Sequence, residues 1–309
     1  MNSQLKTLIN GYEERIFGQS TNLRLLLSAI LSGGHVLIEG VPGTGKTQMV
    51  RTLSNLIGGK FSRIQFTPDL LPSDITGSTI FNMKENTFQT VKGPIFANII
   101  LADEINRTPA KTQAALLEAM EERQVTIQGE TYPLPEVFFV VATQNPIEFE
   151  GTYPLPEAQQ DRFLFKLTID FPELEEETNV LKQVLDRRYT DESIDAILDI
   201  PSFQEIQKEM ESVTISDDIL NYIMQMVRRT RETESIRFGA STRAAISIAK
   251  AAKAWAYLSA RDYVTPDDIK IVAKPALRHR IQISPQMELE GVSLDQIIEE
   301  LVGAIPVPR

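Results

Sequence analysis

The chain has 309 residues, 42% hydrophobic and 24% charged, enough for one large or two medium domains with buried cores. It has no cysteine, which excludes disulfides and thiolate metal sites, and a formal net charge of -11, which argues against a global attraction to nucleic acid. No apolar run approaches the roughly 20 residues that span a bilayer, and the N-terminal stretch lacks the basic start and apolar core of a signal peptide, so a cytoplasmic protein is expected.

In chain order, a helix is expected over 20–32, followed by the apolar run "HVLIEG" (35–40), read as a strand. Further helices are expected over 46–57 and 109–122, and further strands at "NIILAD" (98–103), "VFFVVAT" (137–143) and "FLFKLTI" (163–169). These runs are nearly continuous in apolar residues, as in parallel strands covered on both faces, and the alternation with helices predicts a doubly wound α/β domain. At "DFPELEEETNVLKQVLDRR" the pattern changes: Pro172 and a run of glutamates mark a boundary, giving an α/β domain over 1–171 and a small helical domain over 172–309. Within the latter, Ser216-Asp217-Asp218 and Thr265-Pro266-Asp267-Asp268 read as helix starts. An alanine-rich helix over 241–260 carries Trp255, expected in the core.

The strand "HVLIEG" runs into "GVPGTGKT" (40–47) and then into a helix, the context in which G-x-x-x-x-G-K-[ST] binds phosphate. Gly40, Gly43 and Gly45 let the backbone bend so that N–H groups face phosphate oxygens. Pro42, Thr44 and Gln48 complete the binding segment, Lys46 supplies a charge at the β/γ-phosphates, and Thr47 is a Mg²⁺ ligand. The run "NIILADE" delivers Asp103 and Glu104 to a strand end: Asp103 for the Mg²⁺ shell, Glu104 to orient or deprotonate an attacking water. A third strand ends in Thr143, Gln144 and Asn145. An amide there can bond a γ-phosphate or the water, and Asn before Pro146 also initiates turns, so both readings stand. His35 and His279 are isolated, and no metal site is expected apart from nucleotide-bound Mg²⁺.

"EGVPGTGKT", "LADEINRTPAKTQAALLEAMEERQVT", "VVATQNPIEFEGTYPLPEAQQDRF", "GASTRA" and "RIQFTPDLLPSDITG" together resemble the MoxR branch of the AAA+ ATPases, over essentially the whole chain. The resemblance implies an AAA+ core with a parallel sheet, a helical lid, and an ATPase using ATP and Mg²⁺. It makes Asn145 the sensor 1 position, and gives Ile16, Phe17, Gly18 and Gln19 to the adenine pocket. It makes Arg243 the sensor 2 cation, acting on either its own or a neighbour's nucleotide, and Arg162 an arginine finger aimed at a neighbour's γ-phosphate. Arg107 matches a second intersubunit cation, or is a surface arginine before a helix. Residues 70–95 and 123–135 resemble hairpin insertions that face the ring axis or a partner; inert decoration is the alternative. The implied protein is an oligomer, a hexameric ring, that remodels or matures protein clients, sometimes with a von Willebrand-type partner. A slow nucleotide-gated switch is the second reading. A nucleic-acid motor, disfavoured by the acidic balance, is the third.

Overall fold

The structure, a computed structural model, describes residues 2–145, 151–185 and 195–308. The turn read at Pro146, residues 146–150 of the quoted "VVATQN" segment, and the Arg187-Arg188 end of the acidic segment lie outside the described residues.

The chain begins with α1 (Ser3–Glu13), α2 (Ser20–Leu31), β1 (Val36–Gly40), α3 (Lys46–Ile57) and β2 (Phe61–Gln65). A short α4 (Pro72–Thr76) leads to β3 (Gly77–Asn82), β4 (Thr87–Lys92) and β5 (Ile99–Asp103), then to a 3-10 turn (Ile105–Arg107) and α5 (Ala110–Glu122). Next come β6 (Gln124–Ile127), β7 (Glu130–Pro133), β8 (Phe139–Gln144), α6 (Glu157–Gln160) and β9 (Phe165–Ile169). The remainder holds α7 (Leu174–Leu185), α8 (Ile200–Glu211), α9 (Asp217–Glu232), β10 (Ile236–Phe238) and α10 (Thr242–Leu258). It closes with α11 (Pro266–Leu277), β11 (Gln282–Ile283), α12 (Pro285–Leu289) and α13 (Leu294–Gly303).

Five strands form one sheet in the order β2-β5-β8-β1-β9, every pair parallel. Because successive side chains alternate across a strand, the sheet serves two cores. Val36, Ile38, Ile99, Leu101 and Val141 face the buried residues of α1, α2 and α3. Leu37, Ile100, Ala102, Val140 and Ala142 face Leu116, Leu117 and Met120 of α5. This two-sided coverage explains the uninterrupted apolar runs of β5 and β8. The edge strand β2 escapes that pattern: of Phe61–Gln65 only Ile64 is fully buried, so no apolar run announces it. The expected strand over 163–169 begins instead at Phe165, because Phe163 N–H turns back to Gln160 O in the turn that carries Arg162.

The C-terminal helices pack on α2 and β9 and continue the first core, with Trp255 8% exposed. Their starts follow local chemistry. Ser216 accepts from Ile219 N–H, Ser241 from Arg243 N–H, and Thr265 with Asp268 forms a capping box behind Pro266. A two-stranded ribbon, β10 with β11, joins them. Arg278 Nη1 donates to Lys166 O and Arg280 Nη1 to Leu164 O, fastening the end of α11 to the outer side of β9.

Both expected insertions are hairpins, β3–β4 and β6–β7. They touch each other: Tyr132 Oη lies 3.2 Å from Thr90 Oγ1, and Lys92 Nζ sits 5.3 Å from the Tyr132 ring centre. The first hairpin leaves Ile80, Phe81, Met83, Phe88 and Val91 exposed.

Candidate nucleotide site and arginine cluster

The loop between β1 and α3 turns through Gly43 (φ 84°) and Gly45 (φ 75°). A Cβ at either would meet open space, so it is the left-handed backbone, not crowding, that calls for glycine. Gly40 is needed for the opposite reason: a Cβ there would collide with Ile169 O of β9. The first N–H groups of α3 have no intrahelical partners and open toward the loop, a ready anion site. Lys46 Nζ donates to Gly40 O (2.8 Å) and Val41 O (2.7 Å), and Thr44 Oγ1 donates to Val41 O (3.1 Å). Partial burial lowers the Lys46 pKa, opposed by the charges of Asp103 and Glu104.

The two acids end β5 and are joined to β8 by one hydroxyl. Thr143 Oγ1 donates to Asp103 Oδ1 (2.7 Å) and accepts from Glu104 N–H (2.8 Å). Arg63 Nη2 holds the other Asp103 oxygen at 2.6 Å. Glu104 adopts a left-handed backbone (φ 57°), uncommon for a non-glycine residue. Its Oε2 accepts from Gln65 Nε2 (3.0 Å) and pairs with Arg107 Nε (3.2 Å). A cavity of about 430 Å³ is lined by residues 42–48, Asp103, Glu104, Thr143, Gln144 and Asn145. The loop, the acids and the amide end of β8 thus share one space. Phe17 and Gly18 lie between α1 and α2 and are not among its lining residues; Gly18 (φ 67°) instead lies against the Glu176 carboxylate.

Arg162 and Arg243 line a different cavity, of about 270 Å³, bounded by α5, the turn before β9, and α10. Arg162 Nη2 pairs with Glu121 Oε2 at 3.0 Å and Arg243 Nη2 with Glu121 Oε1 at 2.9 Å. Arg243 Nη1 is 3.7 Å from Asp161, and Arg280 Nε is 2.6 Å from the same carboxylate. Neither Arg162 nor Arg243 lines the cavity that holds Lys46.

Sequence reasoning missed Arg63, Gln65, Glu121, Asp161 and Arg280, and it passed over the Thr143 hydroxyl. Each acts through a partner distant in sequence. For Arg63 and Gln65 the only available signal was that both occur in the quoted "RIQFTPDLLPSDITG" segment.

A glycine-rich loop feeding a helix, paired acids on the neighbouring strand and a C-terminal helical region define a P-loop nucleotide-binding protein of the AAA+ class. A family model described as "ATPase family associated with various cellular activities (AAA)" matches residues 35–165, and the AAA lid domain model matches residues 228–301. The Bacillus subtilis protein YeaC is 50% identical over 92% of this chain and 88% of its own. Chaperone MoxR1 of Mycobacterium tuberculosis is 42% identical over 95% of this chain and 80% of its own. Protein MoxR of Paracoccus denitrificans is 31% identical over 95% and 93%. A crystal structure from Cytophaga hutchinsonii superposes with a TM-score of 0.92, at 45% identity, covering 99% of this chain and 95% of that one. The chain belongs to the MoxR family of AAA+ ATPases.

Proposed function

We propose that this chain hydrolyses ATP with Mg²⁺ as one subunit of a ring, each active site being completed by arginines from the neighbouring subunit. The observation that carries this reading is the separation of charges. Lys46, Asp103 and Glu104 share one cavity, while Arg162 and Arg243 meet on Glu121 in another. An arginine pair that stands apart from its own phosphate loop suits a neighbour's γ-phosphate.

In this scheme the N–H groups of the loop and the Lys46 ammonium hold the triphosphate. Glu104 takes the proton of the attacking water as the water oxygen bonds to the γ-phosphorus and the bridging β–γ P–O bond breaks, ADP leaving with that electron pair. Asn145, with Gln144, orients the water or the γ-phosphate. The neighbour's Arg162 and Arg243 balance the charge that builds on the transferred group. The Thr47 hydroxyl and the Asp103 carboxylate are the hard oxygen donors that Mg²⁺ favours, and they border the same cavity. Bound there, the ion would draw charge from the phosphate oxygens. Phe17 and Gly18 would meet the adenine where it leaves the phosphate cavity.

The domain division at 171/172, a hexameric ring, and remodelling of protein clients, with or without a von Willebrand-type partner, belong to the same proposal. The relative named Chaperone MoxR1 supports the protein-client part. The test is to mix Lys46→Ala with Arg162→Ala protein. Each should be inactive alone, and the mixture should regain turnover where an intact Lys46 faces an intact Arg162. Subunit exchange without any recovered turnover would overturn the reading.

A further inference from the structure

We infer that Arg280 is a positioning residue that sets the Arg162 turn and the Arg243 helix in register with each other. The inference rests on the in-trans reading above and adds to it the part that holds the arginine pair in place.

The Arg280 side chain is 3% exposed, the deepest guanidinium near either site. Its donors run to both sides of Arg162 in the chain. Nε donates to Asp161 Oδ1 (2.6 Å), while Nη2 reaches Asp161 O (3.2 Å) and Phe163 O (2.7 Å). Nη1 reaches Leu164 O (3.2 Å) and also Ala276 O (2.7 Å) on its own helix. Nη2 further meets Ser247 Oγ at 3.1 Å. Ser247 stands one helical turn beyond Arg243 on α10, so both side chains share a face of that helix. One planar group thus spans the backbone flanking Arg162 and the helix that bears Arg243.

Neighbouring residues reinforce the bracket. The His279 ring Nε2 lies 2.9 Å from Phe163 O, and His279 is buried and kept neutral, so its N–H can fill the second lone pair of that carbonyl. Asp161 carries two loads: one oxygen takes Arg280 Nε, and the other lies toward Arg243 Nη1. Burying a guanidinium is costly, and apolar packing would stabilise a helix contact as well or better. What apolar packing cannot do is direct several donors in one plane at carbonyls of different residues. Lysine cannot do it either, because its donors radiate from a single atom. The arrangement therefore favours a geometric role for Arg280 over a purely stabilising one.

The test is the Arg280→Lys protein, which keeps the charge and loses the fork. Turnover should fall roughly tenfold or more, while the KM for ATP stays within about twofold, because the variant's own phosphate loop is untouched. Mixed with Lys46→Ala protein, it should regain turnover, since intact Lys46 of one subunit then faces intact Arg162 and Arg280 of the other. A structural defect would not be relieved in that directed way. Unchanged turnover, a loss confined to KM, or no recovery in a mixture where Arg162→Ala does recover, would each overturn the inference and leave the in-trans reading standing. If Arg162→Ala also fails to recover, the in-trans reading falls and the inference falls with it. Should Arg280→Lys not fold, Ser247→Ala, which removes one bond of the bracket, is put through the same assays under the same criteria.

Discussion

Arg162 and Arg243 are held by the same carboxylate: each places one guanidinium nitrogen within 3.0 Å of a different oxygen of Glu121. Two like charges so close together need a shared counter-ion, and Glu121 supplies it from a third element, α5. Glu121 is 38% exposed, so its pairs contribute little to folding, on the order of 0–1 kcal/mol. Their value is orientation. Glu121→Ala should therefore leave urea unfolding nearly unchanged, yet lower turnover at least about fivefold, as measured by phosphate release.

A second prediction concerns Thr143. Its hydroxyl bridges Asp103 and Glu104, and the residue is 1% exposed. Thr143→Val keeps the shape, strands the Glu104 N–H and removes a donor from Asp103. The expected destabilisation is about 1–3 kcal/mol, read by chemical denaturation, together with weaker Mg²⁺-dependent nucleotide binding.

Gln65 and Arg107 both pull the Glu104 carboxylate toward β2 and the 3-10 turn. If Glu104 must swing to meet a water, Gln65→Ala should release it and raise basal turnover about threefold, the equivalent of ~0.7 kcal/mol. A fall in turnover would instead make Gln65 a support for the reactive position.

Acid should weaken the fold through a buried histidine. Val140 N–H donates to His35 Nδ1 (3.1 Å), so the ring proton sits on Nε2 and faces Met120 O at 3.3 Å. Burial, with Arg123 nearby, lowers the pKa from 6.5 to about 3. Between those values the unfolded chain binds a proton that the folded chain refuses, so stability drops as pH falls, by ~1.4 kcal/mol per unit for this group. Urea midpoints at about pH 7.5 and about pH 5 should show the loss. His35→Asn, which can still accept from Val140, should reduce the slope, leaving the share owed to His279, whose pKa burial also lowers.

The phosphate loop and the paired acids were legible in the sequence because their chemistry is local: a strand, a glycine turn and a helix start lie within a dozen residues. The same holds for the capped helices at Ser216 and Thr265. β2 was not legible, since an edge strand half in solvent has no apolar periodicity to display. Glu121 was invisible for a different reason. It sits in a run of helix-forming residues, "LLEAMEERQ", where an exposed glutamate is unremarkable, and only the fold brings α5 beside the Arg162 turn and α10. The β6–β7 turn could be read from Gly129 and the alternation before it, whereas the β3–β4 insertion rested on the family resemblance; that the two hairpins touch through Tyr132 and Thr90 could not be read at all.

The fastening of α11 to β9 has a consequence for how copies of this chain meet. β9 ends the sheet, and a bare outer strand would offer its carbonyls as a template for strand addition by any passing chain. Arg278 and Arg280 already occupy Lys166 O and Leu164 O, so that seam is sewn shut from within. A protein proposed to work by close association with its own kind thereby has fewer free carbonyls to offer for strand addition at this edge.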